Sequence, residues 1–152
     1  MKIVIASDHG GYQYKNILLK DIREHGYEVN DLGAFNEEPS DYPDYAAKVA
    51  DAILHKEAEK AILICGSGVG VSVAANKFKG IRAGVCHDTY SAHQSVEHDD
   101  VNVLCIGQRV IGIELAREII LAFLAAQFTH AERHERRLGK IRAIEDKNMK
   151  LE

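Results

Sequence analysis

The sequence has no run of basic residues, and its formal net charge is −4. A protein that neutralises a phosphate backbone needs the opposite balance, so a nucleic-acid partner is excluded. No apolar stretch approaches the roughly 20 residues that span a bilayer. The chain opens directly into the strand-like MKIVIAS, without the apolar core of a signal peptide. No membrane partner and a cytoplasmic location are expected. Cysteine is scarce: there are three, an odd number, each in or beside an apolar run. That usage excludes a disulfide scaffold and fits a reducing compartment. The two prolines both fall in the 39–43 connection, which reads as loop. Internal repeats, low-complexity tracts and linkers are absent as well. A single domain over residues 1–152 is expected, long enough to bury a core without staples.

What is present is an alternation. Apolar runs of strand length recur at 3–7, 27–32, 61–65, 82–86 and 102–106, and helix-patterned stretches cover roughly 11–25, 43–56, 70–79, 89–97 and 112–127. A last amphipathic segment spans about 131–150. Continuous apolar strands alternating with helices indicate a parallel sheet covered on both faces. The expected fold is α/β: a three-layer α/β/α sandwich around a five-stranded parallel sheet, joined by right-handed crossovers. Ligands bind such sheets beyond the carboxyl ends of the strands. Polar residues fall at those ends: Ser7-Asp8-His9-Gly10-Gly11, Cys65–Gly70, Cys86-His87-Asp88 and Gly107-Gln108-Arg109.

The segment ILICGSGVGVSVAAN, 62–76, carries the strongest chemical signal. A strand ends in Cys65, a loop follows with Gly66, Ser67, Gly68, Val69 and Gly70, and an alanine-rich helix begins. Backbone N–H groups in such a loop face an anion. A cysteine beside the same hole can act as nucleophile or proton-transfer base, since helix N-termini favour a thiolate. A dinucleotide site would need G-x-G-x-x-G and a distant acid, and a P-loop would need a lysine; neither is here. Cys105 reads as an inert core thiol, and Cys86 as a packing residue. Asp8 can cap the first helix or, with His9, grip ligand hydroxyls. His98, ahead of Asp99 and Asp100, reads as a residue of a polar loop that folds over the same rim, where histidine is the natural acid/base near neutrality. Arg133 and Arg137, four apart, share a helix face. They form either a solvated face or, with Arg109, a phosphate clamp. Glu132, Glu135 and Arg136 fit the solvated face. Leu138, Ile141 and Ile144 form a stripe suited to docking on a second subunit. No histidine cluster has metal-ligand spacing, so no metal is expected.

Seven segments in order and spacing carry a resemblance along nearly the whole chain: SDHGGY (7–12), DYPDYA (41–46), ICGSGVGVSVAANK (64–77), GIRAGVC (80–86), HDDVNVL (98–104), IGQRVIG (106–112) and RHERR (133–137). The chain resembles the type B ribose-5-phosphate isomerases and the related galactose-6-phosphate isomerase subunits. The resemblance implies a Rossmann-like sandwich and no cofactor. It also implies a homodimer, or a tetramer, and an aldose–ketose interconversion of a sugar phosphate. Carried over, Cys65 is the general base of an enediolate mechanism and Ser67 its helper. The N–H groups of Gly66 to Gly70 form the oxyanion hole. His98 is the ring-opening acid, and Asp8, His9 and Tyr42 contact substrate. Arg109, Arg133 and Arg137 hold phosphate, some of them donated by a partner subunit. Some members place a glutamate base further along the loop; here Val71-Ser72-Val73 leaves Cys65 in that role. The family usually has asparagine where this chain has Asp99. A carboxylate only accepts hydrogen bonds, so either Asp99 faces a hydroxyl donor or the specificity differs. The competing expectations are an isomerase of allose 6-phosphate or galactose 6-phosphate, and a nucleotide-binding or regulatory module without catalysis.

Overall fold

The computed structural model describes residues 1–150. Five strands, β1 (Lys2–Ser7), β2 (Glu28–Asp31), β3 (Lys60–Cys65), β4 (Ala83–Val85) and β5 (Val103–Gly107), form one parallel sheet in the order β2-β1-β3-β5-β4. Six helices flank it: α1 (Tyr12–Glu24), α2 (Tyr42–Leu54), α3 (Val69–Ala75), α4 (Thr89–Asp99), α5 (Ile113–Ala125) and α6 (Glu132–Asn148). No described helix is long and apolar enough to cross a membrane.

Alternation along the strands sorts the core into two layers. Ile3 and Ile5, Ile62 and Ile64, Leu104 and Ile106 face Leu18 and Ile22 of α1, Val96 of α4, and Ile119 and Phe123 of α5. Val4, Ala6, Leu63, Cys65, Val103 and Cys105 face Val49 and Ala50 of α2 and Val71 and Ala75 of α3. The expected three layers are therefore present.

Three boundaries differ from the sequence pattern. β4 keeps only three residues, because it is an edge strand with Val85 exposed. α3 stops at Ala75 rather than near 79, because Asn76 turns aside: its amide donates to the Ala83 carbonyl and accepts from the Ala83 N–H at 2.9 and 2.8 Å. α4 runs on to Asp99, where Asp100 closes it in the left-handed conformation, φ 50°. His98 and Asp99 thus sit in a helix turn and not in a loop.

The rim is tied down from below by a buried ion pair. Lys15 of α1 is fully buried, and its Nζ donates to both carboxylate oxygens of Asp31 at 2.9 and 2.7 Å, where β2 ends. Asp31 Oδ1 in turn accepts from Gly33 N–H at 2.9 Å, starting the connection that leads to Ser40 and Tyr42. Removing one partner of such a pair strands the other charge. Asp31→Ala should lower unfolding free energy by about 3–5 kcal/mol, measured by urea denaturation. Lys15→Met should cost clearly less, because the partly exposed Asp31 regains water. Equal losses for the two variants would contradict this account.

Candidate active site

The carboxyl ends of β1, β3 and β5 meet α2 and α3 around a cleft of about 340 Å³, lined by Asp8, Tyr42, Cys65, Gly66, Ser67, Gly70, Arg109 and Val110. That volume lies in the range of small-ligand sites. Cys65 ends β3 with little exposure, and its Sγ accepts the Gly68 N–H at 3.1 Å. Gly68 occupies the left-handed region at φ 80°, which turns the chain sharply from strand into helix. Ser67 Oγ accepts the Val69 N–H at 3.1 Å. Two of the amides expected to face an anion are therefore already engaged, Gly68 by sulfur and Val69 by a hydroxyl. The first turn of α3 leaves the N–H groups of Gly70 and Val71 without intrahelical partners, and Gly70 lines the cleft. α3 is only seven residues long, so individual amides, rather than a long helix dipole, set the local field.

Around this loop the other predicted residues take their places. Asp8 caps the short 3-10 turn His9–Gly11, its Oδ1 accepting from Gly10 N–H at 2.9 Å, while its side chain also borders the cleft. The capping and ligand readings of Asp8 are thus compatible. His9 is fixed by a reciprocal pair: Ser40 N–H donates to its Nδ1, and its own N–H donates to Ser40 Oγ, both at 3.1 Å. With Nδ1 accepting, the neutral ring carries its proton on Nε2. The Tyr42 ring lies against Gly70, where a Cβ would approach it to 3.0 Å. Arg109 donates its N–H to the Gly66 carbonyl at 3.0 Å and lays its side chain over Gly66. Burial pushes the Cys105 thiol strongly up, and pushes Cys86 up as well. Both are packing residues, and of the three thiols Cys65 is the one that lines the cleft.

The remaining predicted residues lie elsewhere. α4 leaves the rim at Asp88 and returns to the opposite end of the sheet before β5, a run of about 16 Å for its eleven residues. His98 and Asp99, in its last turn, are therefore not over the Cys65 cleft of the same chain. They stand with the start of α6. His98 stacks on His134 with ring centroids 4.1 Å apart, and Gln94 Nε2 donates to His98 Nδ1 at 2.9 Å. His134 is buried and hydrogen-bonded through Nδ1 to Thr129 Oγ1. Burial, with the charges of His98, Arg133 and Arg137, pushes its pKa down, and Asp99 opposes them. Asp99, Arg133 and Arg137 all act on His134 through their charges. Among the described residues Arg109, Arg133 and Arg137 have no carboxylate partner, whereas Arg136 pairs with Glu132 at 2.7 Å. The solvated-face reading fits Arg136 and Glu132. Arg133 and Arg137 are exposed, so the structure leaves both the solvated face and the phosphate clamp open for them. Leu138 of the apolar stripe is buried on its own chain, while Ile141 and Ile144 remain exposed.

Sequence reasoning missed Ser40, Gln94 and His134. Ser40 and Gln94 act through partners distant in the chain or one helix turn away, and nothing in their type announces this. His134 carried one available signal: it precedes Leu138 by four, on the face of α6 that turns inward. Among the described residues no group of three His, Cys, Asp or Glu is placed to hold a metal ion.

Comparison with known proteins agrees with this geometry. The model of the Ribose/Galactose Isomerase family matches residues 3–141. Ribose-5-phosphate isomerase B of Escherichia coli is 48% identical over 96% of this chain and 97% of its own. D-erythrulose-4-phosphate isomerase 2 of Mycolicibacterium smegmatis is 43% identical over 84% of this chain and 86% of its own. The solved structure of Clostridium thermocellum ribose-5-phosphate isomerase B superposes with a TM-score of 0.94 at 48% identity, covering 97% of this chain and 99% of that one. A thiol at the end of the third strand, a glycine loop seated against the fifth and a family match over most of the length converge: the chain belongs to the ribose/galactose isomerase family.

Proposed function

We propose that this sugar-phosphate isomerase interconverts ribose 5-phosphate and ribulose 5-phosphate through an enediolate, with Cys65 as the general base. The observation that carries the reading is Cys65 lining an open cleft together with Ser67, Gly70 and Arg109, its Sγ held by the Gly68 amide. The thiolate takes the proton from C2 of the open-chain aldose, and the electron pair moves to the adjacent carbonyl. The enediolate forms with its negative oxygen toward the loop amides. The same sulfur returns the proton to C1, giving the ketose. Ser67, at the lip of the loop, relays the hydroxyl proton. The base needs a pKa near the operating pH, and the oxyanion needs donors fixed in advance.

Ring opening and phosphate binding call on His98, Asp99, Arg133 and Arg137. These lie at the far end of the sheet from Cys65, so we assign them to a second copy: each cleft is completed by the His98 cluster of its partner in a homodimer. Two features support this. Val69, Val73 and Val110 stand more than half exposed around the Cys65 cleft, and Ile144 is 64% exposed on α6. An isolated chain gains nothing from leaving such residues in water. Arg133 and Arg137, without carboxylate partners, then meet a substrate phosphate with Arg109. Asp99, among arginines, accepts from a sugar hydroxyl without leaving the site net negative. Three buried reduced cysteines fit a cytoplasmic enzyme.

A six-carbon sugar phosphate is the second reading. Asp99 favours it in one respect, since an acceptor there rewards a substrate with an additional hydroxyl donor. A panel of ribose, allose and galactose phosphates at matched concentration separates the two. The highest kcat/KM is expected for ribose 5-phosphate, and a higher value for a hexose phosphate would replace the pentose assignment.

Cys65→Ala should lower kcat by at least about 100- to 10,000-fold, with ribose 5-phosphate still binding in calorimetry. Near-normal turnover would place the base elsewhere. Arg137→Ala should raise KM for the phosphorylated sugar by about tenfold or more, the loss of a charge-assisted contact, with a smaller effect on kcat. An unchanged KM would remove Arg137 from the phosphate clamp.

A further inference from the structure

Where β4 ends, β5 continues. The last pair of their register is Val85 with Cys105, and Cys86 N–H closes the ladder on the Cys105 carbonyl at 3.3 Å. In a parallel pair successive residues of a strand address opposite neighbours. Gln108 N–H donates toward β3, to the Cys65 carbonyl at 2.9 Å, so Gly107 N–H points to the β4 side, where no strand carbonyl remains. His87 fills the gap: its Nε2 accepts the Gly107 N–H at 3.0 Å. A backbone amide can only donate. The ring is therefore neutral, with its proton on Nδ1.

Gly107 is also the point on which the catalytic loop rests. A Cβ there would fall 2.6 Å from the carbonyl carbon and oxygen of Ser67, and one on Gly68 would fall 2.9 Å from the Ile106 carbonyl carbon. The two backbones touch without side chains between them. Just before Ser67, Gln108 N–H holds the Cys65 carbonyl and Arg109 N–H holds the Gly66 carbonyl. Any displacement of Gly107 thus passes directly into Cys65, Gly66 and Ser67.

We propose that His87 is a positioning residue for the isomerisation: its neutral imidazole stands in for the missing strand and fixes Gly107, and through it the Cys65 loop. This rests on the reading that the chemistry occurs at that loop. Protonation would turn Nε2 into a donor facing another donor, and the anchor would be lost. The surroundings favour the neutral form. Burial pushes the His87 pKa down, and Asp88 opposes this. Asp88 is itself engaged as the cap of α4, its Oδ1 accepting from Ser91 N–H, and it feels His93 further along that helix. α3 presents no ionisable side chain, β5 presents only the buried Cys105, β4 is followed directly by Cys86, and beyond β5 the Arg109 side chain lies over Gly66.

The test is an amide and imidazole NMR titration of the free protein between about pH 5 and 8, combined with kinetics. In wild type the Gly107 amide shift should follow the His87 ring with one midpoint, below the ordinary histidine value of 6.5. In His87→Gln, whose Oε1 can take the place of Nε2, that titration should vanish while kcat stays near wild type. In His87→Ala kcat at neutral pH should fall by about 10- to 100-fold, the scale of a misplaced reacting group, with KM changing less. A Gly107 amide indifferent to the His87 titration, or a wild-type kcat in His87→Ala, would overturn the proposal. Repeating the titration on Cys65→Ala separates the two readings, because the Gly107 response should persist there whichever group is the base.

Discussion

The rim of this molecule depends on one contact between two backbones. The peptide of Ser67 lies on Gly107 at a distance no side chain would permit, and Gly68 lies as closely on the end of Ile106. This seats the loop directly on the central strands, so the position of Cys65 Sγ is set by the sheet rather than by a mobile connection. The Gln108 and Arg109 amides lock the same segment through the carbonyls of Cys65 and Gly66. Each of these contacts is worth about 1 kcal/mol as a hydrogen bond. Their importance is geometric: fixed donors act on developing charge without reorganising at the moment of reaction.

A second constraint is distance. One end of the sheet holds a thiol, loop amides and a single arginine, while the other holds paired imidazoles and two arginines. The mechanism we propose draws on both ends. The cleft at Cys65 has only Arg109 for a dianionic phosphate, and the His98 cluster lies away from the loop amides. The stacking of His98 on the buried His134 gives the second cluster its order, and the Gln94 contact fixes the ring orientation of His98. In the dimer we propose, two-fold symmetry would bring the two ends together twice.

Much of the architecture was legible in the residues. The strands announce themselves as uninterrupted apolar runs because both faces are covered, and the Cys65 loop announces itself because glycines cluster where a strand meets a helix. The order of β4 and β5 was not legible, since it depends on which crossover reaches which edge. The position of His98 was misread because polar residues at a helix end look like a loop; only the left-handed Asp100 shows where α4 stops. The state of the loop amides was hidden for a different reason. Whether Gly68 N–H faces an anion or a sulfur, and whether Val69 N–H faces solvent or the Ser67 hydroxyl, depends on the exact turn of the loop. The resemblance named candidate site residues but gave no role to Ser40, Gln94, His87 or His134, which contact them or their neighbours.

The account rests on a cleft built from the Cys65 loop of one copy and the His98 cluster of another. Mixing two crippled variants, Cys65→Ala and His98→Gln, tests this directly. Each alone should lose most of its activity. After dissociation and random reassociation, half of the dimers are mixed, and each mixed dimer holds one intact cleft, so about a quarter of wild-type activity should return. No recovery beyond the sum of the two separate variants, with mixed dimers shown to form, would mean that Cys65 and His98 do not work in one site across the subunit boundary.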